Sequence, residues 1–342
     1  MANSFSIAFG RTGLFWLYLK AMDDYYGGCV DKVKLPTSLI DDPMRLMPLT
    51  EMTRYFGVID EIANDELFVA KGCSKIKFEN FPPLNNIVCS SPVFFTAMLR
   101  LTALTKSVQS GCTVRGVIDA GFLKWSYNTE ISVPSERLND GIVAAWIFIL
   151  LLRKYKGEQY QPEKVCLPGS RLGKPGEMEE IFGCKAVQWN AKQTEIHCLP
   201  EVMGTFTEQP QSIYGAKKLK YVEVLDYINL PDENDLSRCV YELIDYSRAF
   251  GYPRLEFIAD ILMVAPLTLQ RRLQKDNLSF SELVKYKLLL DLAPQMLSEG
   301  QSIADVAAEL GFSNTQSFIK AFKKAHDFTP RQYVESLEEY TQ

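Results

Sequence analysis

Eight cysteines and two histidines are the side chains with which this 342-residue chain could grip a metal or act as a nucleophile. The cysteines are scattered: Cys29, Cys73, Cys89, Cys112, Cys166, Cys184, Cys198 and Cys239. None forms a C-x-x-C pair, and His197 and His326 stand far apart. A zinc site legible in sequence needs clustered Cys/His ligands, so no metal is expected. The thiols read as buried and free, as in a reducing cytoplasm. A catalytic cysteine needs an activating neighbour. Cys198 follows His197, but consecutive strand residues point to opposite faces. No Gly-rich phosphate loop, serine nucleophile elbow or paired-carboxylate motif is present. No catalytic residue and no cofactor is expected, and the chain does not read as an enzyme.

The polar chemistry of the last quarter is set by a repeated helical grammar. Leu255–Leu273 and Ile303–Phe322 each begin with a short helix carrying apolar residues three and four apart. These are Leu255, Ile258, Ala259 and Leu262, then Ile303, Val306, Ala307 and Leu310. A tight break follows, Met263-Val264-Ala265 or Gly311-Phe312-Ser313. A second short helix carries its own apolar positions, Leu269 and Leu273, or Phe318 and Phe322. That is the pattern of a helix-turn-helix, whose second helix can enter a major groove. Two copies separated by one long helix, Ser279–Ser298, make the pattern specific. Helices are also expected at Leu236–Phe250 and Arg331–Tyr340, with Pro294 kinking the long helix or ending it early.

The front of the chain is mixed. Helices are expected at Leu14–Tyr26, Thr50–Asn64, Arg137–Tyr155 and Pro175–Phe182. Ser91-Pro92 reads as the cap and first position of a helix over Val93–Lys106. Thr113–Asp119 and Phe122–Tyr127 alternate around Ala120-Gly121, as a hairpin does. Lys164–Leu167 is an expected strand, and Ala186–Trp189 with Glu195–Leu199 an expected second hairpin. Gly141–Leu152 is the most apolar run but is short of the ~20 residues that span a bilayer, so it reads as a buried helix. Phe5–Phe9 is too short for a signal-peptide core, and no leader or membrane anchor is expected.

Three parts follow: an α+β domain over 1–206, a polar linker over 207–234 with Lys217, Lys218 and Lys220, and an all-α domain with two helix-turn-helix motifs over 235–342. A net charge of −5 gives no global basic field. Any contact with nucleic acid must therefore come from a local basic face.

Asp235–Tyr340 resembles the DNA-binding domain of AraC/XylS-family bacterial transcription regulators. The residues that carry this are IADILMVAPLTLQRRLQKD, FSELV and SIADVAAELGFSNTQSFIKAFKKAHDFTPRQY. In the front domain, CSSPVFFTAMLRL and VCLPGSRLGKPGEMEEIFGCKAVQWNAKQTEIHCLP resemble the arabinose-binding-type N-terminal domain of one branch of that family. That label is inherited and does not establish a sugar ligand.

The resemblance implies that each second helix enters successive major-groove segments, held apart by the long helix. It assigns base contacts to Leu267, Gln270 and Arg271 in the first unit, and to Thr315, Gln316 and Lys320 in the second. Gln pairs with adenine, Arg and Lys with guanine, and an apolar tip with the thymine methyl. Arg272, Lys275, Lys323, Lys324 and Arg331 would serve phosphates. Five departures weaken the match. Ala265 stands where a Ser cap is usual, and Lys320 where an Arg is. Ile319 replaces a polar residue, Leu288 takes the place of a mid-helix Arg, and Pro294 interrupts the rod. They imply modest intrinsic affinity for double-stranded DNA. Stable operator binding is expected to need dimerisation, a ligand-favoured state or RNA polymerase.

A regulator's front domain should bind an effector or a second copy. Arg115, Trp125, Tyr127, Arg171 and Trp189 are the candidate pocket residues. A buried Arg would suit an anionic effector such as an amino acid, a carboxylate or a fatty acid. Two rival readings stay open: a co-regulator that works through protein contacts with weak DNA binding, and a Cys-based enzyme fused to a DNA-binding domain.

Overall fold

A computed structural model describes residues 7–81, 84–131, 133–206 and 230–339. The chain divides into two compact units between Glu233 and Asn234. The expected linker residues 207–229, including Lys217, Lys218 and Lys220, lie outside the described residues, as does Tyr340. Glu233, at the end of that expected linker, is tied to the first unit. Its carbonyl accepts from the Ile7 N–H at 3.1 Å, and its carboxylate accepts from the Gly111 N–H.

In the first unit a short antiparallel pair, β1 (Phe9–Arg11) and β2 (Leu46–Pro48), anchors the opening helices. These are α1 (Thr12–Tyr26), α2 (Cys29–Val33), α3 (Thr37–Ile40), α4 (Leu49–Ala63) and α5 (Phe68–Cys73). A five-stranded sheet follows, with β3 (Cys112–Asp119), β4 (Phe122–Thr129), β5 (Lys164–Cys166), β6 (Val187–Gln188) and β7 (Thr194–Cys198) in the order β3-β4-β7-β5-β6. The β3–β4 hairpin forms because Ala120 and Gly121 both take positive φ, 49° and 79°, which the tight primed turn demands. Period-two alternation buries Leu123, Trp125, Tyr127 and Thr129 and leaves Phe122, Lys124, Ser126 and Asn128 half-exposed. On the buried face lies α7 (Pro134–Lys156), whose apolar middle is the greasy run read as a buried helix. Trp125 stacks on Phe148 with ring centroids 4.5 Å apart. Gly141 permits the close approach, since a Cβ there would stand 2.3 Å from the Thr194 hydroxyl. α6 (Phe94–Val108) and α8 (Glu177–Phe182) complete the unit.

Two local expectations are corrected. The helix after Ser91-Pro92 begins at Phe94, with Val93 as its cap, because Val93 is extended and bridged to Phe206. Ser91 instead turns back on Val93, its hydroxyl donating to the carbonyl at 2.9 Å. The second hairpin does not form. β6 pairs parallel with β5, and β7 inserts between β4 and β5, antiparallel to both. The crossover through α8 carries β6 to the sheet edge beside β5, and leaves β7 and β5 paired on both sides.

The second unit is helical throughout its described residues: α9 (Leu236–Arg248), α10 (Leu255–Ile261), α11 (Pro266–Lys275), α12 (Phe280–Lys287), α13 (Ala293–Ser298), α14 (Ile303–Glu309), α15 (Thr315–His326) and α16 (Pro330–Glu339). A π-helical turn, Leu288–Leu292, joins α12 to α13. Pro294 therefore does not end the rod but stands in the first turn of α13, directly after the π-helical turn. The widened turn absorbs its missing N–H and the clash of its ring with the preceding turn. α9 packs on α12, and its buried Cys239, Val240, Leu243 and Ile244 form the floor of the core. No helix among the described residues is long and apolar enough to cross a membrane.

Candidate nucleic-acid interface

Two helix-turn-helix units are built by the same backbone device. α10 and α14 each end in a left-handed residue, Met263 at φ 51° and Gly311 at φ 75°. The next N–H reaches back five residues, Val264 to the Ala259 carbonyl at 3.0 Å and Phe312 to the Ala307 carbonyl at 2.9 Å. This closes the helix C-terminus and turns the chain into the second helix. The two second helices start differently. Asn314 caps α15 by accepting from the Ser317 N–H at 2.8 Å. Ala265 offers α11 no such bond, and Pro266 at its first turn presets the backbone instead.

Leu269 and Leu273 of α11, and Phe318 and Phe322 of α15, are fully buried. Helical periodicity then turns the intervening residues outward. In α11, Leu267, Gln270 and Arg271 are exposed, Leu267 at 57%. In α15, Gln316 and Lys320 are exposed one turn apart, and Thr315 is half-buried. Lys275, Lys323, Lys324 and Arg331 are exposed, while Arg272 is half-buried. Arg331 also pairs with Glu335 at 2.9 Å.

Charge is segregated between the helices of each unit. α10 carries Glu256 and Asp260, and α14 carries Asp305 and Glu309, with no Lys or Arg in either. α11 carries Arg271, Arg272 and Lys275, and α15 carries Lys320, Lys323 and Lys324, with no Asp or Glu in either. Two local basic faces thus exist in a chain of net charge −5.

The rod beneath them holds a buried ion. Lys287 is only 8% exposed. Its ammonium lies 2.8 Å from Asp291, 3.9 Å from Glu242 and 4.4 Å from the Tyr241 ring centroid. Burial raises the Glu242 carboxyl, and Lys287 partly offsets that. His326 closes the far end, with Nε2 2.8 Å from the Leu289 carbonyl and its ring 4.2 Å from Phe322.

The first unit contains a cavity of about 50 Å³ between α1, α6, α7 and β4. Of the five sequence candidates, Trp125 and Tyr127 line it. Arg115 and Arg171 are exposed and Trp189 follows β6 at the opposite edge of the sheet, so these three candidates do not line the cavity and no Arg does. The alternation that buries Trp125 and Tyr127 on β4 leaves Arg115, on β3, on the wet face. The cavity's charged group is instead Asp140 of α7. Gln109 donates to the Tyr127 hydroxyl at 2.7 Å, and that hydroxyl donates to Asp140 at 2.6 Å. Burial pushes the Asp140 carboxyl up to about 6, with the Tyr127 hydrogen bond pulling the other way. Trp125 lines the same cavity, and its Nε1–H has no acceptor. Sequence reading missed Asp140 and Gln109. The available signal was a lone carboxylate immediately before the uncharged run Gly141–Leu152.

Residues 258–336 match a family model described as a helix-turn-helix domain. Residues 27–205 match the arabinose-binding domain of AraC transcription regulator, N-terminal. The chain is 26% identical over 122 residues to the HTH-type transcriptional regulator AdiY of Escherichia coli (strain K12), covering 36% of this chain and 47% of that one. It is 31% identical over 104 residues to the HTH-type transcriptional regulator VirS of Mycobacterium tuberculosis, covering 30% of this chain and 31% of that one. The chain thus spans less than half the length of either relative. Among solved structures, the transcriptional regulator CdpR of Pseudomonas aeruginosa matches over 93% of this chain and 98% of its own, at 16% identity and a TM-score of 0.44. With an arabinose-binding-type domain over more than half of its residues and a helix-turn-helix domain behind it, the chain belongs to the AraC family of transcription regulators.

Proposed function

We propose that this protein is a sequence-specific DNA-binding transcription regulator, with 1–206 as the regulatory domain, 207–234 as the linker and 235–342 as the DNA-binding domain. α11 and α15 are the reading helices. Leu267, Gln270, Arg271, Thr315, Gln316 and Lys320 face bases, and Arg272, Lys275, Lys323, Lys324 and Arg331 face phosphates. The observation that carries this reading is the segregation of charge: both second helices are purely basic and both first helices purely acidic. A gel-shift titration at two salt concentrations tests it. A specific reader resists random-DNA competition and shows a negative log–log salt slope. A factor working through protein contacts shows neither.

The effector reading rests on the cavity of the first unit. Its lining holds a carboxyl with a raised pKa and no Lys or Arg. A compact amine supplies the missing counter-charge, so an amine displaces the anionic effector as the favoured class. At about 50 Å³ the cavity admits only a small molecule unless its walls part. Thermal-shift screening of small amines against small carboxylates checks this. Stabilisation by carboxylates alone overturns it.

A further inference from the structure

We propose that Cys166, Glu195 and His197 form a binding site for a divalent transition metal of the zinc class on the outer face of the five-stranded sheet. The inference is independent of the DNA-reading assignment. The three residues come from neighbouring strands. Cys166 of β5 stands opposite Glu195 of β7, and His197 is two residues further along β7. Period-two alternation puts all three side chains on the face opposite α7. The Cys166 Sγ is 4.0 Å from the His197 Nε2, and that nitrogen is 2.8 Å from a Glu195 carboxylate oxygen. All three donor atoms lie within 4.8 Å of one another. Around a tetrahedral zinc ion, bonds of ~2.0–2.3 Å set the donors about 3.3–3.7 Å apart. The observed separations bracket that spacing, so small rotamer changes complete the geometry.

The donor set is selective. A thiolate, an imidazole and a carboxylate together favour a borderline ion such as Zn²⁺ over Mg²⁺ or Ca²⁺. The ladder between β5 and β7 fixes the three backbones before any ion arrives. Cys166 is 3% exposed and His197 8%, while Glu195 is more open and forms the entrance. Gln188, opposite Cys166 on β6, has its side-chain oxygen 3.9 Å from the thiol and can fill the fourth position, as can water. Two lysines pair with His197 in the ladders, Lys124 on β4 and Lys164 on β5. They oppose a bound cation but favour the thiolate, and Lys124 is already engaged by Asp119. Burial pushes the Cys166 thiol up to about 11, so uptake of an ion expels its proton.

The test uses the full-length chain, stripped by a chelator and dialysed. Titration with Zn²⁺ should show one ion per chain. Cys166→Ser and His197→Gln should each lose affinity at least ~10-fold, and Cys112→Ser should keep it. Co²⁺ added to the unsubstituted protein should give a thiolate-to-cobalt charge-transfer band, which decides the matter even where a variant fails to fold. Absence of stoichiometric Zn²⁺ binding, a Co²⁺ spectrum without that band, or binding that survives Cys166→Ser overturns the proposal.

Discussion

Met263 and Gly311 hold the same place in the two helix-turn-helix units, each as the left-handed residue that ends the first helix. The conformation suits glycine and strains a residue with a Cβ by about 1–2 kcal/mol. Met263 is 83% exposed and has little packing to lose. Met263→Gly should therefore stabilise the second unit by about 1 kcal/mol. Gly311→Ala should destabilise it by about 1–2 kcal/mol, since a Cβ at 311 also meets the Tyr252 ring at 3.0 Å. Denaturant midpoints of the two variants check the pair, and shifts of the same sign refute it.

Gln316→Ala and Arg271→Ala should each weaken operator binding by about 1–3 kcal/mol and relax preference at a few base pairs. Unchanged affinity in both rules out α11 and α15 as the reading helices. Lys323→Ala should weaken specific and random DNA alike and reduce the salt slope by about 1.

Lys287 holds Glu242 and Asp291 together inside the second unit. Lys287→Ala leaves a buried carboxylate without its counter-charge and should cost about 3 kcal/mol, discounted for the half-exposed side of Asp291. Glu242→Gln in the same background should recover part of the loss. Urea unfolding of the single and double variants measures the coupling.

Asp140 sets a pH dependence in the first unit. Its folded pKa of about 6 lies above the unfolded value. The folded state therefore keeps a proton that the unfolded chain gives up. This contribution is fully present below about pH 4 and is lost as pH rises through 6. Asp140→Asn removes it. The stability of Asp140→Asn relative to the parent should rise by about 3 kcal/mol between pH 4 and pH 8. A flat difference across that range shows that Asp140 is not shielded from solvent.

The helix-turn-helix units were legible because their signals are local. The three- and four-residue spacing of Leu255, Ile258 and Leu262, followed by Leu269 and Leu273, has one helical solution, and so has its copy at Ile303, Val306 and Leu310, followed by Phe318 and Phe322. The Ala120-Gly121 turn is equally local, since two positive φ angles favour only a few residue types. Pro294 was locally correct and globally incomplete, because its clash was relieved by widening the turn before it rather than by ending the helix.

Periodicity along the chain determined by itself the two domains' classes, the paired helix-turn-helix units and the buried α7. What the tertiary structure alone decided is which distant segments meet. No spacing rule places β7 between β4 and β5, so none could bring Cys166 to His197 or set Tyr127 against Asp140. Strand order is chosen by competition among pairings and by the burial of the central strands, whose inward residues pack on α7. That is a property of the assembled core, and short strands of two to five residues carry too little pattern to announce it.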